Sequence, residues 1–215
     1  MKKKLLVIFA LASLAASSQS FHKGALVADL NWGVEVYSVD YHYALKSNTH
    51  IDTTTHSGAA SKSFGLGLEY GVTNWLGLGL CGKIDNYVTS KDAVTGTQPT
   101  AGGGQIGAII NFHVLRKEHF NLVLGLNAGY SHLTYKTNDY FGTEVYGDGA
   151  WSRLSIIPRY YFGRFGLEAS LNFPRINYPN MTTSSKTINS YVVSSWKASG
   201  VGFGFGVQYR FLNSK

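Results

Sequence analysis

Charged residues are scarce in this chain of 215 residues, because Lys, Arg, Asp and Glu together make up only 14% of it. The surface of a small soluble domain usually carries about 25–35% of these residues. The chain therefore has too few charges to cover a water-exposed surface. Aromatic residues, in contrast, are abundant. The 14 Tyr, 12 Phe and 4 Trp are far more than a disordered chain contains, and this excludes disorder.

Long hydrophobic runs are absent after residue 20. No stretch there approaches the roughly 20 apolar residues that a membrane-spanning helix needs, and this excludes a helical membrane protein. Cysteine is nearly absent too, and the single Cys81 cannot form an internal disulfide. Packing and backbone hydrogen bonds must therefore hold the exported chain together.

The first twenty residues have the composition of a secretory signal peptide. Lys2–Lys4 give a basic start, Leu5–Ala16 an apolar segment, and Ser17–Ser20 small residues for cleavage. We expect a signal peptide over 1–20, cleaved at about 17–20, and a single mature domain over 21–215. Removing this leader takes away three lysines, so the formal charge falls from +7 to +4. The basic balance therefore does not indicate nucleic-acid binding.

From residue 24 onward, large apolar residues alternate with small or polar ones at a period of two, which indicates β-strands. In the last segment, Val201 and Phe203 share one face, whereas Gly202 and Gly204 share the other. The alternation predicts eight strands, at about 24–37, 63–72, 75–87, 104–115, 119–135, 150–162, 165–173 and 196–211. Pro158 falls inside the sixth strand and predicts a bulge there.

Short and long connections alternate strictly between these segments. Tight turns at 73–74, 116–118 and 163–164 separate long segments rich in Ser, Thr, Asn, Asp and Tyr, at about 38–62, 88–103, 136–149 and 174–195. This arrangement is typical of transmembrane barrels. The sequence therefore predicts an all-β fold: an eight-stranded antiparallel up-and-down transmembrane β-barrel with four long extracellular loops and short periplasmic turns.

The large apolar residues are predicted to face lipid. The interior of an eight-stranded barrel is only just wide enough for side chains, and the opposite face carries mostly Gly, Asn and Ser. A closed barrel also satisfies its backbone without water. With the two faces reversed, the chain would instead be a secreted lipocalin-like carrier, and this alternative stays open.

The ions on the small-residue face are predicted to form a paired network that closes the lumen. Unpaired charges are costly in a narrow interior, so a near balance of acids and bases favours pairing. The predicted network consists of Asp29, Glu35, Glu69, Asp85 and Glu168 together with Lys83, Arg153, Arg159 and Arg210.

The aromatic and histidine residues do not indicate a ligand site. Amphipathic rings prefer the headgroup level, so Trp32, Tyr37, Trp75, Tyr87, Tyr130, Tyr135, Tyr160 and Tyr161 are predicted to form interfacial girdles, with Tyr161 in the phase of the lumen. The seven histidines match no zinc-binding spacing. We therefore predict no metal and no cofactor.

The C-terminal run from Gly206 through Tyr209 to Phe211 resembles the assembly signal that the outer-membrane barrel insertion machinery reads. From about 24 to 211, the chain resembles the small eight-stranded outer-membrane β-barrel family, which includes the OmpA transmembrane domain and OmpX-like proteins. The resemblance implies the outer membrane of a Gram-negative bacterium, with outer-membrane lipid, lipopolysaccharide and the assembly machinery as partners. We expect a non-enzymatic structural or adhesin-like role, with loops 38–62 and 174–195 contacting an extracellular ligand.

Two other functions stay open. His132 and Thr134 lie two apart on the predicted outward face, and Glu144 follows in the next loop. Lipid A deacylase barrels place a His-x-Ser pair on a strand with a Glu further along, and the resemblance to that pattern implies a lipid A-modifying hydrolase. A hydrated lumen would instead make the protein a small-solute pore.

Overall fold

The computed structural model describes residues 21–45, 51–91, 96–137, 142–184 and 192–211. These residues form eight antiparallel strands in a closed ring, in which each strand pairs with its neighbours in the chain and the last pairs with the first. The strands are β1 (Leu26–Leu45), β2 (Ile51–Gly71), β3 (Leu76–Tyr87), β4 (Thr100–Arg116), β5 (Phe120–Lys136), β6 (Glu144–Phe162), β7 (Phe165–Ser184) and β8 (Val192–Arg210). The predicted barrel is confirmed. The predicted signal peptide lies outside the described residues.

Several strands continue far beyond their predicted extracellular ends. The register of β1 and β2 runs without a break to Leu45 opposite Ile51, although a loop was predicted over 38–62. The segments between strands at this end span only 46–50, 88–99, 137–143 and 185–191, so the predicted long loops are wrong in extent. Beyond the membrane, the outward side chains become polar. The alternation of apolar and polar residues that predicts a strand therefore ends there, although the backbone pairing continues.

The outer surface of the ring carries a broad apolar band. Exposed outward side chains include Trp32, Leu80 and Phe205, and every strand contributes to the band. On β1 it ends at Val36, above which Ser38 and Asp40 face outward. The lipocalin-like alternative, which needs these apolar side chains inside, is wrong. No helix among the described residues is long and apolar enough to cross a membrane.

The register of β6 is not disturbed at Pro158. Ile156 lies opposite Leu171 and Arg159 opposite Glu168, which is the same register on both sides of the proline. The predicted bulge at Pro158 is therefore wrong. The register shifts that involve β6 and β7 lie nearer the extracellular end, between Asp148 and Ala150 and between Tyr178 and Met181.

The residues before β1 fold under the periplasmic end of the barrel. The Phe21 ring is buried and stacks on the His113 ring, with 3.4 Å between ring centroids. The Gly24 amide donates to the Gly71 carbonyl at 2.7 Å and fixes this segment to the end of β2. The lumen is thus covered from below by the chain itself.

The inner face of β8 is formed by glycines between Ala198 and Gln208, namely Gly200, Gly202, Gly204 and Gly206. A Cβ atom on Gly202 would lie 2.5 Å from Glu35 Cγ, and one on Gly206 would lie 2.8 Å from Glu168 Oε1. Side chains from β1 and β7 therefore occupy the space that larger residues on β8 would need.

Candidate functional site

The periplasmic half of the lumen is organised around the Glu69 carboxylate on β2. Arg159 Nη1 and Asn111 Nδ2 each donate to Glu69 Oε2 at 2.8 Å. His113 Nε2 lies 2.7 Å from the other oxygen, Oε1. Arg159 also pairs with Glu168, with 3.3 Å between Nε and Oε2. His113 was not among the predicted network residues, although its inward phase was visible in the sequence.

A second polar cluster lies nearer the extracellular end, around Lys83 on β3. Its Nζ donates to Glu35 Oε2 at 2.6 Å and lies 3.1 Å from Asp85 Oδ1. Gln105 Nε2 donates to Asp85 at 2.8 Å, and the Tyr37 hydroxyl donates to Glu35. One ammonium group thus joins two buried carboxylates from different strands.

The remaining predicted network residues also lie in the lumen but have other contacts. Asp29 accepts a hydrogen bond from Asn31 at 2.8 Å. The Arg153 guanidinium lies 5.8 Å from the Trp151 ring centroid, and Arg210 lies 5.7 Å from that of Tyr161. The predicted residues therefore form two ion clusters with flanking cation–π contacts rather than one continuous network.

Little free space remains between these two clusters. The cavity that Asp29, Arg153 and Asn172 help to line has a volume of about 40 Å³. A site for one water needs roughly 10–15 Å³ on this measure, with polar partners around it. The cavity therefore holds a few waters at most and no larger solute.

An aromatic layer lies above the polar clusters, inside the extracellular half of the barrel. Its buried members are Tyr37, Val39, Leu133, Trp151, Ile176, Tyr178, Met181, Trp196 and Ala198. Tyr41, Ala59, Cys81, Tyr87 and Val145 pack against them. Sequence reasoning missed this layer, because half of the residues that form it lie in segments that were predicted to be loops.

Three tyrosines predicted to lie in the interfacial girdles belong to this interior instead. Tyr37, Tyr87 and Tyr135 face the lumen, so their girdle assignment is wrong. The signal was present in the sequence, since Tyr37 has the phase of Glu35 and Tyr87 that of Lys83. Trp32, Trp75, Tyr130 and Tyr160 are exposed on the outer surface, as a girdle position requires.

The lumen opens outward as a cup above this layer. The cup has a volume of about 530 Å³, and its walls include Tyr41, Tyr87, Leu133, Tyr135, Met181 and Trp196. Trp196 lies 6.4 Å from Tyr41 and 6.2 Å from Tyr87 between ring centroids. Tyr178 lies directly opposite Trp196 in the β7–β8 register, and their ring centroids are 5.2 Å apart.

On the outer surface, just above the apolar band, His132 connects a hydroxyl to a carboxylate. Its Nε2 lies 3.1 Å from Thr134 Oγ1, and its Nδ1 lies 2.7 Å from Asp148 Oδ1. Asp148 also accepts a hydrogen bond from the Tyr130 hydroxyl. These bonds, from Tyr130 first and then His132, lower the pKa of the Asp148 carboxyl.

Glu144 is not the acid of this group. Glu144 is the first residue of β6 and lies opposite Lys136, whereas Asp148 lies directly opposite His132. The prediction that placed Glu144 beside His132 is therefore wrong, because the residue that meets His132 is decided by the β5–β6 register.

Two further predictions concern the C-terminal assembly signal and the absence of a metal site. Gly206 faces the lumen, and the Tyr209 and Phe211 rings lie 4.9 Å apart; recognition of these residues by the insertion machinery stays a prediction. Within the described ranges, no group of three or more His, Cys, Asp or Glu side chains could hold a metal ion.

Comparison with known proteins gives structural likeness without sequence likeness. No family model matches the sequence, and no curated protein matches it. The outer membrane protein OprG from Pseudomonas aeruginosa superposes with a TM-score of 0.57 at 10% identity, covering 90% of this chain and 98% of that one. The outer membrane protease OmpT from Escherichia coli superposes with a TM-score of 0.51 at 12% identity, covering 89% and 98%. Together with the lipid-facing band, these likenesses give this protein the fold of an outer-membrane β-barrel.

Proposed function

We propose that the protein is a non-enzymatic outer-membrane barrel that does not conduct solutes and that acts as a surface-interaction protein through its extracellular end. Outer-membrane lipid and lipopolysaccharide surround its apolar band in this proposal. The barrel insertion machinery is its partner during assembly. The extracellular ligand contacts the barrel from outside the cell.

The length of the β1–β2 hairpin carries this proposal. The last large apolar side chain that the structure describes on the outward face of β1 is Val36, yet pairing with β2 continues to Leu45. At about 3.4 Å per residue, the hairpin extends roughly 30 Å along the strand beyond the band. Its outward residues include His42, Thr54 and His56, which are polar. A paired hairpin of this length presents polar side chains on a fixed backbone, as a recognition surface requires.

Shortening this hairpin in register tests the surface role. Residues 42–54 begin and end at a register pair, so replacing them with a two-residue Asn-Gly turn leaves the rest of the barrel in place. The purified full chain and this variant, both in lipid nanodiscs, are compared on a glycan array and on surfaces coated with matrix proteins. We expect binding by the full chain only, with unchanged mobility of the unboiled variant on a denaturing gel. Equal binding by both proteins, or by neither, would reject the hairpin as the contact surface.

The non-conducting part of the proposal is tested separately. The two ion clusters and the small cavity between them support this part of the proposal. We expect no steady single-channel conductance after reconstitution into planar bilayers. A regular conductance step would make the small-solute pore the better function.

A hydrolase is the second candidate, and the contacts of His132 favour it. In this mechanism Thr134 Oγ1 attacks the carbonyl carbon of a lipid ester, and its proton moves to His132 Nε2. The tetrahedral intermediate collapses, the alcohol leaves with the proton from His132, and the acyl group stays on Thr134. Water then attacks the acyl carbonyl while His132 takes and returns a proton, which releases the fatty acid and restores Thr134. Asp148 orients His132 and stabilises the imidazolium that forms in each of the two steps.

Mass spectra of lipid A from expressing cells test this candidate. The hydrolase predicts loss of one acyl chain with the unmodified protein and with Glu144→Gln, but not with His132→Ala or Asp148→Asn. The exposed pair of His56 and Asp40, 2.7 Å apart, supplies a matched control, since His56→Ala should leave the acyl loss intact. An unchanged lipid A spectrum with the unmodified protein excludes the hydrolase.

A further inference from the structure

The extracellular cup has the size and lining of a small-molecule site. Its volume of about 530 Å³ falls within the range of roughly 300–1,000 Å³ that ligand pockets occupy. The buried layer that includes Tyr37, Trp151 and Tyr178 lies between the cup and the polar clusters. A molecule that enters from the extracellular side therefore meets buried side chains below the cup.

The lining determines which chemistry fits. None of the described residues that line the cup is charged, and none is an Asn, Gln or His. A sugar or an ion would lose its hydration without gaining the hydrogen bonds or charges that replace it. An uncharged ring, in contrast, gains contact with Tyr41, Tyr87 and Trp196, and aromatic pairs contribute to binding beyond the area they bury.

Tyr87 contributes its ring to the wall and not its hydroxyl. The hydroxyl oxygen is buried away from the cup and makes no hydrogen bond with any described residue, so a molecule in the cup does not reach it. At the rim, Thr89 Oγ1 already donates to the Pro99 carbonyl at 2.6 Å. Ring contact is therefore the main interaction that this part of the wall offers.

We propose that the cup binds an uncharged aromatic small molecule, held by contact with the rings of its wall. The site lies inside the barrel and is separate from the outer surface of the β1–β2 hairpin. It does not depend on the proposed surface role, because replacing 42–54 leaves every wall residue of the cup in the chain.

Naphthol, which has two fused rings and one hydroxyl, is a suitable probe. The full chain in lipid nanodiscs is titrated with naphthol, and the bound fraction is followed by fluorescence anisotropy. Ala101→Trp fills the cup from β4. Ala108→Trp places the same ring on the exposed outer face of β4 and controls for partitioning into lipid. We expect saturable binding with the unmodified chain and with Ala108→Trp, and an affinity at least 10-fold lower with Ala101→Trp.

The preference for an uncharged ring is tested with a second probe. Naphthalene sulfonate, which carries a charge, should bind the unmodified chain at least 10-fold more weakly than naphthol. Tyr87→Phe keeps the ring in the wall and should leave naphthol affinity within 2-fold of the unmodified chain. Tyr160→Phe, on the outer surface, should also leave it unchanged.

Three results would overturn the proposal. The first is equal naphthol affinity in the unmodified chain and in Ala101→Trp, provided that both are folded by gel mobility. The second is the absence of saturable binding. The third is binding that appears only after residues 185–191 are removed, since a segment of the chain itself would then be the occupant. Each result leaves the hairpin experiment unaffected.

Discussion

Arg159 Nη1 on β6 donates to Glu69 Oε2 on β2 at 2.8 Å, so a single ion pair joins strands on opposite sides of the ring. The two side chains are only 3% and 1% exposed. Neither charge can be solvated if the other is removed. The pair therefore ties the two walls of the barrel together across its interior.

The first prediction concerns this pair. Arg159→Met removes the cation that the buried Glu69 and Glu168 carboxylates share, whereas Glu69→Gln leaves Arg159 paired with Glu168. We expect Arg159→Met to lower the free energy of unfolding by about 3–5 kcal/mol and Glu69→Gln to lower it by less. Urea unfolding in detergent, followed by gel mobility, measures it. Arg164→Met, at an exposed periplasmic turn, is the control. A double variant as unstable as the sum of the two single variants would show that the residues do not interact.

The second prediction concerns the apolar band. Phe205 lies in the middle of the outward face of β8, and Ser199 lies on the same face above the band. Phe205→Arg should cost about 2–4 kcal/mol of folding free energy in lipid vesicles, whereas Ser199→Arg should cost about 0–1. Equal costs for the two substitutions would mean that the band is misplaced along β8.

The third prediction concerns the close approach of β4 and β5. A Cβ atom on Gly129 would overlap the Ile106 carbonyl oxygen and Gly107 Cα, which are backbone atoms, whereas one on Gly104 meets nothing within 4 Å. Gly129→Ala should destabilise the barrel by about 1–3 kcal/mol, as overpacking does, and Gly104→Ala should leave it unchanged. Refolding yield and the urea midpoint measure both. Normal stability of Gly129→Ala would contradict the close packing.

The fourth prediction concerns the covered periplasmic end. Phe21→Ala removes the ring that stacks on His113, and we expect a cost of roughly 1–3 kcal/mol and faster hydrogen exchange over residues 21–28. Lys23→Ala, which removes an exposed side chain, should change neither. Unchanged exchange in Phe21→Ala would show that Phe21 does not hold this segment against the barrel.

The period-two alternation was sufficient to predict the barrel, the lipid-facing side and the phase of every lumen ion. Glu35 and Lys83 could be assigned to the same face from the sequence, but their contact could not, because it depends on how β1 and β3 are staggered around the ring. The same limit explains the error at Glu144, since the β5–β6 register brings Asp148 to His132. The girdle prediction for Tyr37 and Tyr87 is wrong for another reason. It follows the general preference of tyrosine for membrane interfaces, whereas their position in the period-two alternation places both on the lumen face.

The glycine face of β8 has a consequence for the order in which the barrel is completed. The inner positions from Gly200 to Gly206 bring no side chain into the lumen, and Glu35 and Glu168 already occupy the space beside them. Along this stretch, β8 can therefore join β7 and β1 without displacing a side chain from the interior. Closure of the ring over 200–206 can thus follow the formation of the internal ion pairs.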